Sequence, residues 1–179
     1  MWNQDKYIQA WNFACKAHNG QSIPGSDIPY INHISNVAME VISAIAQSKS
    51  IQKPDLAVQC ALLHDTIEDT EITYETIETE FGKAVASGVL ALTKNSQFKT
   101  KEEKMQDSLT RIKEQPEEVW MVKLADRITN LQPPPSHWKK DKIVKYKAEA
   151  SVILQSLGKA NTILANRLNT KIEFYNRFC

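Results

Sequence analysis

Apolar residues recur at three- and four-residue spacings along nearly the whole chain, whereas strand-like alternation bounded by turn signals is scarce and only five glycines occur. That pattern predicts an all-α fold. A first helix is expected from about Asp5 to His18, with Ile8, Trp11 and Cys15 on one stripe. The segment from Gly20 to Asn32 carries Pro24, Gly25 and Pro29 and reads as a loop. A second helix begins near His33, where Val37, Val41 and Ile45 are spaced as a buried face, and Pro54 with Asp55 opens a third. Thr73 is placed to cap a short helix through Glu80, and Phe81 to Leu92 repeats Val85, Val89 and Leu92 as another buried stripe. Lys94 to Lys101 reads as an exposed loop. A helix from about Glu102 to Glu114 precedes Pro116, Glu117 and Glu118, which start a helix running to Leu131. Pro133, Pro134 and Pro135 stop it, and two more helices, about Trp138 to Leu157 and Lys159 to Tyr175, complete a bundle of about eight.

At 179 residues the chain is long enough for one domain with its own core, expected to span residues 1–179. With 22 Lys and Arg against 21 Asp and Glu, the formal net charge of +1 argues against a broad face for nucleic acid. The cluster Lys139, Lys140, Lys142, Lys145 and Lys147 is interleaved with Asp141 and Glu149 and reads mainly as a solvated helix face. No apolar run approaches the roughly 20 residues that cross a bilayer, and the N-terminus lacks a signal-peptide core, so a cytoplasmic protein without membrane contact is expected. Cys15, Cys60 and Cys179 form no C-x-x-C pair and read as reduced thiols. The aromatics Trp2, Trp11, Phe13, Phe174, Tyr175 and Phe178 read as core, with a homodimer contact as the alternative.

Chemistry concentrates in two stretches. In Ala61 to Thr70 an apolar helix abruptly presents His64, Asp65, Glu68 and Asp69, whose burial without partners would be costly. On a continuous helix His64 would lie above Glu68, and Asp65 above Asp69. In Val122 to Leu131, Asp126 and Asn130 share a face of a second apolar helix. With His33 after the Pro29-Tyr30 loop, these supply two imidazoles and two carboxylates, a mixed set suited to Mn²⁺, Fe²⁺ or another first-row divalent ion. Mn²⁺ is the favoured cofactor.

These strings resemble the HD superfamily, in which an adjacent His and Asp are joined by a His upstream and an Asp downstream. Together with Ala17 to Gln21, Pro29 to His33, Phe81-Gly82, Glu103 to Gln106, Trp138 and Tyr146, they resemble the hydrolase domain of the RelA/SpoT stringent-response enzymes, and above all its stand-alone form, the small alarmone hydrolases. The resemblance implies an HD-type helical bundle with a metal in its core cleft, bound by His33, His64, Asp65 and Asp126. It implies hydrolysis of the 3′-diphosphate of guanosine tetra- or pentaphosphate, with Glu68 and Asp69 readying the water. Asn130 would contact the nucleotide sugar, and Arg127, Lys104, Lys142 and Tyr146 would line the pocket. The family places an Arg where Lys142 stands, and usually one or more Arg or Lys directly after the Gln, where this chain has Ser22 and Ile23. An adenosine alarmone, NADPH or a nucleoside 5′-monophosphate therefore stays open as substrate, as does a sensor that binds a nucleotide without turnover. His18 and His137 are assigned to structure, and Arg127 is balanced between phosphate contact and a structural ion pair.

Overall fold

The structure is a computed structural model and describes residues 1–48 and 50–179. Among them are ten α-helices: α1 Gln4–Ala17, α2 Ile31–Gln47, α3 Pro54–Leu63, α4 Thr66–Asp69, α5 Tyr74–Phe81, α6 Lys83–Leu92, α7 Lys101–Lys113, α8 Glu117–Asn130, α9 Lys140–Leu157 and α10 Thr162–Tyr175. The fold is the expected helical bundle, and its only β feature among these residues is an isolated bridge between Ser22 and Pro29.

Two local breaks depart from the expected helix limits, and the second of them adds α4. Gly82, placed inside a helix by the apolar pattern, takes a φ of +83° between α5 and α6, a conformation that favours glycine. The second interruption falls at His64 and Asp65. Both lie outside helical runs, so the expected unbroken helix through the motif is replaced by α3, a two-residue turn and α4.

Every residue of α3 from Leu56 to Leu63 is buried, as befits a helix that is apolar all round. It packs against α1, α2, α6 and α8, while α8 in turn packs against α2, α9 and α10. These two helices therefore carry their polar residues into the middle of the molecule. Glu40 on α2, with a side chain only 6% exposed, is held by Arg167 of α10, which fastens the last helix to the second.

Helix α6 approaches α3 and α8 through Gly88, where a Cβ would stand 2.7 Å from Cys60 Sγ and 3.0 Å from Val119 Cγ2. Gly88→Ala is therefore expected to destabilise the fold by about 1–2 kcal/mol, since overpacking outweighs the gain in helix propensity. Urea unfolding measures this; a variant as stable as the parent would show that the contact yields freely.

Candidate metal centre

His33 enters on the first turn of α2, His64 stands at the end of α3, Asp65 opens α4 and Asp126 lies on the buried face of α8. Their polar atoms meet. His33 Nε2 is 3.3 Å from His64 Nε2, 3.5 Å from Asp65 Oδ2 and 3.6 Å from Asp126 Oδ1, and His64 Nε2 is 2.9 Å from Asp65 Oδ2. His33, His64 and Asp126 each offer a donor atom within 4.8 Å of the others. His64 Nδ1–H donates to the Ala61 carbonyl at 2.9 Å, which leaves Nε2 as the nitrogen that faces the cluster and would bind a cation on losing its proton.

Asp126 is bracketed on both oxygens, by Asn130 Nδ2 on Oδ1 and by Lys123 Nζ at 3.0 Å on Oδ2. Burial opposes its charge, but Lys123 and the two imidazoles hold the carboxyl down at about 2. Burial likewise opposes a charged His64, yet Asp65 and Asp126 push the imidazole up to about 9. Asp65 is half-buried, which opposes its charge, but the neighbouring His64 and His33 with the Tyr30 hydroxyl keep it well below the usual carboxylate range. Two nitrogens and two ionised carboxylates converging here fit a first-row divalent cation. No thiol takes part: Cys60 is fully buried, and burial pushes its thiol up to about 12, as suits a packing residue.

The second pair of carboxylates sits beside the first. Glu68 accepts the Lys94 backbone N–H at 2.9 Å and also the Lys94 ammonium. Asp69 keeps its one-turn relation to Asp65, whose carbonyl accepts the Asp69 N–H at 2.9 Å, and its carboxyl is raised by burial and by the charges of Asp65 and Glu68. The Tyr30 hydroxyl lies 2.6 Å from Asp65 Oδ2 and 3.2 Å from Asp69 Oδ2, so one phenol links the two sets. The His18 ring centroid lies 5.1 Å from that of Tyr30, and its Nδ1 bonds Gln21, which donates to the Asp69 carbonyl.

This cluster adjoins a cavity of about 1080 Å³ that is also lined by Lys104, Arg127, Asn130, Lys142 and Tyr146. Their present partners differ from the expectation in detail. Asn130 donates to Asp126, Arg127 lies 4.4 Å over the Tyr146 ring with Glu149 at 3.4 Å, and Lys142 stands 3.9 Å over Trp138. Tyr30, Lys94 and Lys123 join the site without being singled out by the sequence pattern. Lys123 could have been found by its three-residue spacing from Asp126 and Tyr30 by its place before His33. Nothing local marks Lys94, which had been read as part of an exposed loop.

The sequence profile of the HD domain matches residues 10–170. The chain belongs to the HD domain family. HD relatives include guanosine-3′,5′-bis(diphosphate) 3′-pyrophosphohydrolase MESH1 of Xenopus tropicalis, 31% identical over 170 residues and covering 90% of each chain. MESH1 of Danio rerio is 30% identical over 166 residues, covering 90% of this chain and 89% of that one. Among solved structures, a metazoan ortholog of SpoT, described as hydrolysing ppGpp, superposes with a TM-score of 0.81 at 24% identity over 97% of both chains. At that identity the superposition establishes the HD fold. No helix among the described residues is long and apolar enough to cross a membrane.

Proposed function

We propose that this HD protein is a metal-dependent pyrophosphohydrolase that removes the 3′-diphosphate of guanosine tetra- or pentaphosphate, or a related alarmone, giving GDP or GTP and pyrophosphate. The observation that carries the reading is the meeting of His33, His64 and Asp126, with Asp65 against both imidazoles, beside a second acidic pair in a nucleotide-sized cavity. Relatives of matching length named as 3′-pyrophosphohydrolases support it. We assign residues 1–179 to a single catalytic unit.

His33, His64, Asp65 and Asp126 would hold the cation, with Mn²⁺ our preferred occupant. Bound there, it would polarise a phosphoryl oxygen and offset charge developing in the transition state. Glu68 and Asp69 orient the attacking water and take its proton, and Lys94 fixes the Glu68 carboxylate by two donors. The water oxygen bonds to phosphorus, the bond from phosphorus to the 3′-oxygen breaks, and that oxygen leaves as a hydroxyl after gaining a proton. Lys104, Lys142 and Arg127 offset phosphate charge, while Asn130 and Tyr146 flank the nucleoside.

The base is the less constrained end. Gln21 to Pro29 forms a small hairpin closed by Ile23 N–H to the Ile28 carbonyl at 2.8 Å and Tyr30 N–H to the Gln21 carbonyl at 2.9 Å. Of these residues Pro24 lines the cavity, and the hairpin holds no Lys or Arg, so it offers no cation that would favour guanosine over an adenosine alarmone. Screening guanosine and adenosine alarmones, NADPH and nucleoside 5′-monophosphates with Mn²⁺ should give pyrophosphate from the 3′-diphosphates, and a chelator should stop it. Free phosphate from a monophosphate or from NADPH would move the assignment to another HD phosphohydrolase.

Tyr30→Phe keeps the ring between His18 and His33 but removes the hydroxyl that links Asp65 to Asp69. Loss of a hydrogen bond to a charged group predicts a kcat lower by roughly ten- to a hundredfold, with thermal stability nearly unchanged. Wild-type kcat in this variant would remove Tyr30 from the mechanism.

A further inference from the structure

Glu68 is held through a peptide unit whose other end is bound by a side chain outside the cavity. The Lys94 N–H donates to Glu68 at 2.9 Å, and Lys94 follows directly on Thr93, the C-cap of α6. The carbonyl that shares one planar amide with this N–H is that of Thr93, and it accepts Arg111 Nη2–H at 2.8 Å. Arg111 lies in the last turn of α7, and its Nη1 also donates to the carbonyls of Leu90 at 2.6 Å and Ala91 at 3.1 Å. Its own direction is set one turn back by Asp107, which accepts Nε–H at 2.8 Å and stands 2.7 Å from Nη2.

Capping accounts for part of this. Leu90 and Ala91 carry carbonyls left open at the end of α6, where a cation is favoured, and Ser108 Oγ also donates to Ala91 at 3.2 Å. The Thr93 carbonyl lies beyond that helix and is not one of its open ends. In a trans amide the C=O and N–H point in opposite directions, so Arg111 and Glu68 grip one rigid unit from its two sides, and rotating the unit would lengthen both bonds. A cation on the carbonyl also polarises the amide and makes its N–H a better donor to a carboxylate.

We infer that Arg111 is a positioning residue of the hydrolytic site: by fixing the amide between Thr93 and Lys94 it keeps the Glu68 carboxylate in the direction that addresses the attacking water. The inference rests on the role proposed for Glu68. Arg111 does not line the cavity and acts on the reaction only through this link.

Arg111→Met keeps the reach of the side chain without its donors, and Arg111→Lys keeps the charge without the planar fork. In metal-free protein, nitrogen–proton correlation NMR should show the Lys94 amide proton moved upfield in both variants and exchanging roughly tenfold faster, while the amides of α8 keep their protection. With Mn²⁺ present, kcat for alarmone hydrolysis should fall roughly tenfold in each, with KM within about twofold of the parent. Action through Glu68 further predicts non-additivity: in a Glu68→Ala background either Arg111 substitution should cost less than about twofold in kcat. A helix cap that only stabilises the fold would cost the same in both backgrounds, and that result, or a Lys94 amide unmoved in Arg111→Lys, would overturn the assignment. Alarmones left intact by the wild type would instead strike the proposed function, with the amide measurement still deciding whether Arg111 holds the link.

Discussion

Asp126→Asn protein is expected to lose stoichiometric divalent-metal binding and to hydrolyse alarmones at least about a thousandfold more slowly than the parent, and His64→Ala to do the same. The expectation follows from how completely each side chain is committed. His64 has Nδ1 spent on the Ala61 carbonyl and only Nε2 facing the cluster. Asp126 has one oxygen toward His33 and Asn130 and the other toward Lys123. Asparagine preserves the shape of Asp126 but removes the charge that offsets Lys123, whose side chain is only 15% exposed, so some stability is lost as well. Metal titration followed by calorimetry distinguishes loss of the cation from loss of the fold. An Asp126→Asn enzyme with parental turnover and metal content would dismantle the centre as described.

Glu68→Gln and Asp69→Asn should behave differently: metal and nucleotide still bind within a few-fold of the parent, while kcat falls by roughly two to four orders of magnitude. Neither residue is needed to close the cluster of imidazoles and ligand carboxylates. Glu68 is instead presented by Lys94, and Asp69 by Tyr30. This pair of variants also separates an enzyme from a non-catalytic sensor. A protein whose role is to bind would be untouched by Glu68→Gln, and an unaltered rate in both variants would mean that the water is activated elsewhere.

The helical class and most helix limits were readable because amphipathic spacing is a local signal: Val37 and Val41 of α2 and Val85, Val89 and Leu92 of α6 are buried, although Ile45 is only half-buried and on α1 the buried residues are Ala10 and Ala14, not the expected Ile8, Trp11 and Cys15. The meeting of His33, His64, Asp65 and Asp126 was anticipated from ordered strings in the sequence and not from spacing alone. What escaped were features that depend on neighbours distant in the chain. The turn at His64 and Asp65 sits within a stretch whose apolar period continues unbroken, so periodicity could not show it, and the break between α5 and α6, expected just before Phe81, falls at Gly82 instead. Lys94 is 26 positions from Glu68, and no local pattern connects a polar loop residue to a carboxylate on another element.

The turn between α3 and α4 makes the spacing of the His64 and Asp65 pair intolerant of repair. In an uninterrupted helix, neighbouring side chains diverge by about 100°, and two consecutive residues cannot address one point. Here the chain bends with Asp65 at φ −102° and ψ −1°, and adjacent positions converge. Lengthening or shortening this joint by a single amino acid would swing Thr66 to Asp69 around the axis of the short helix. That stretch is therefore a poor place for linkers, tags or circular permutation, even though it is a helix end of the kind usually chosen for them.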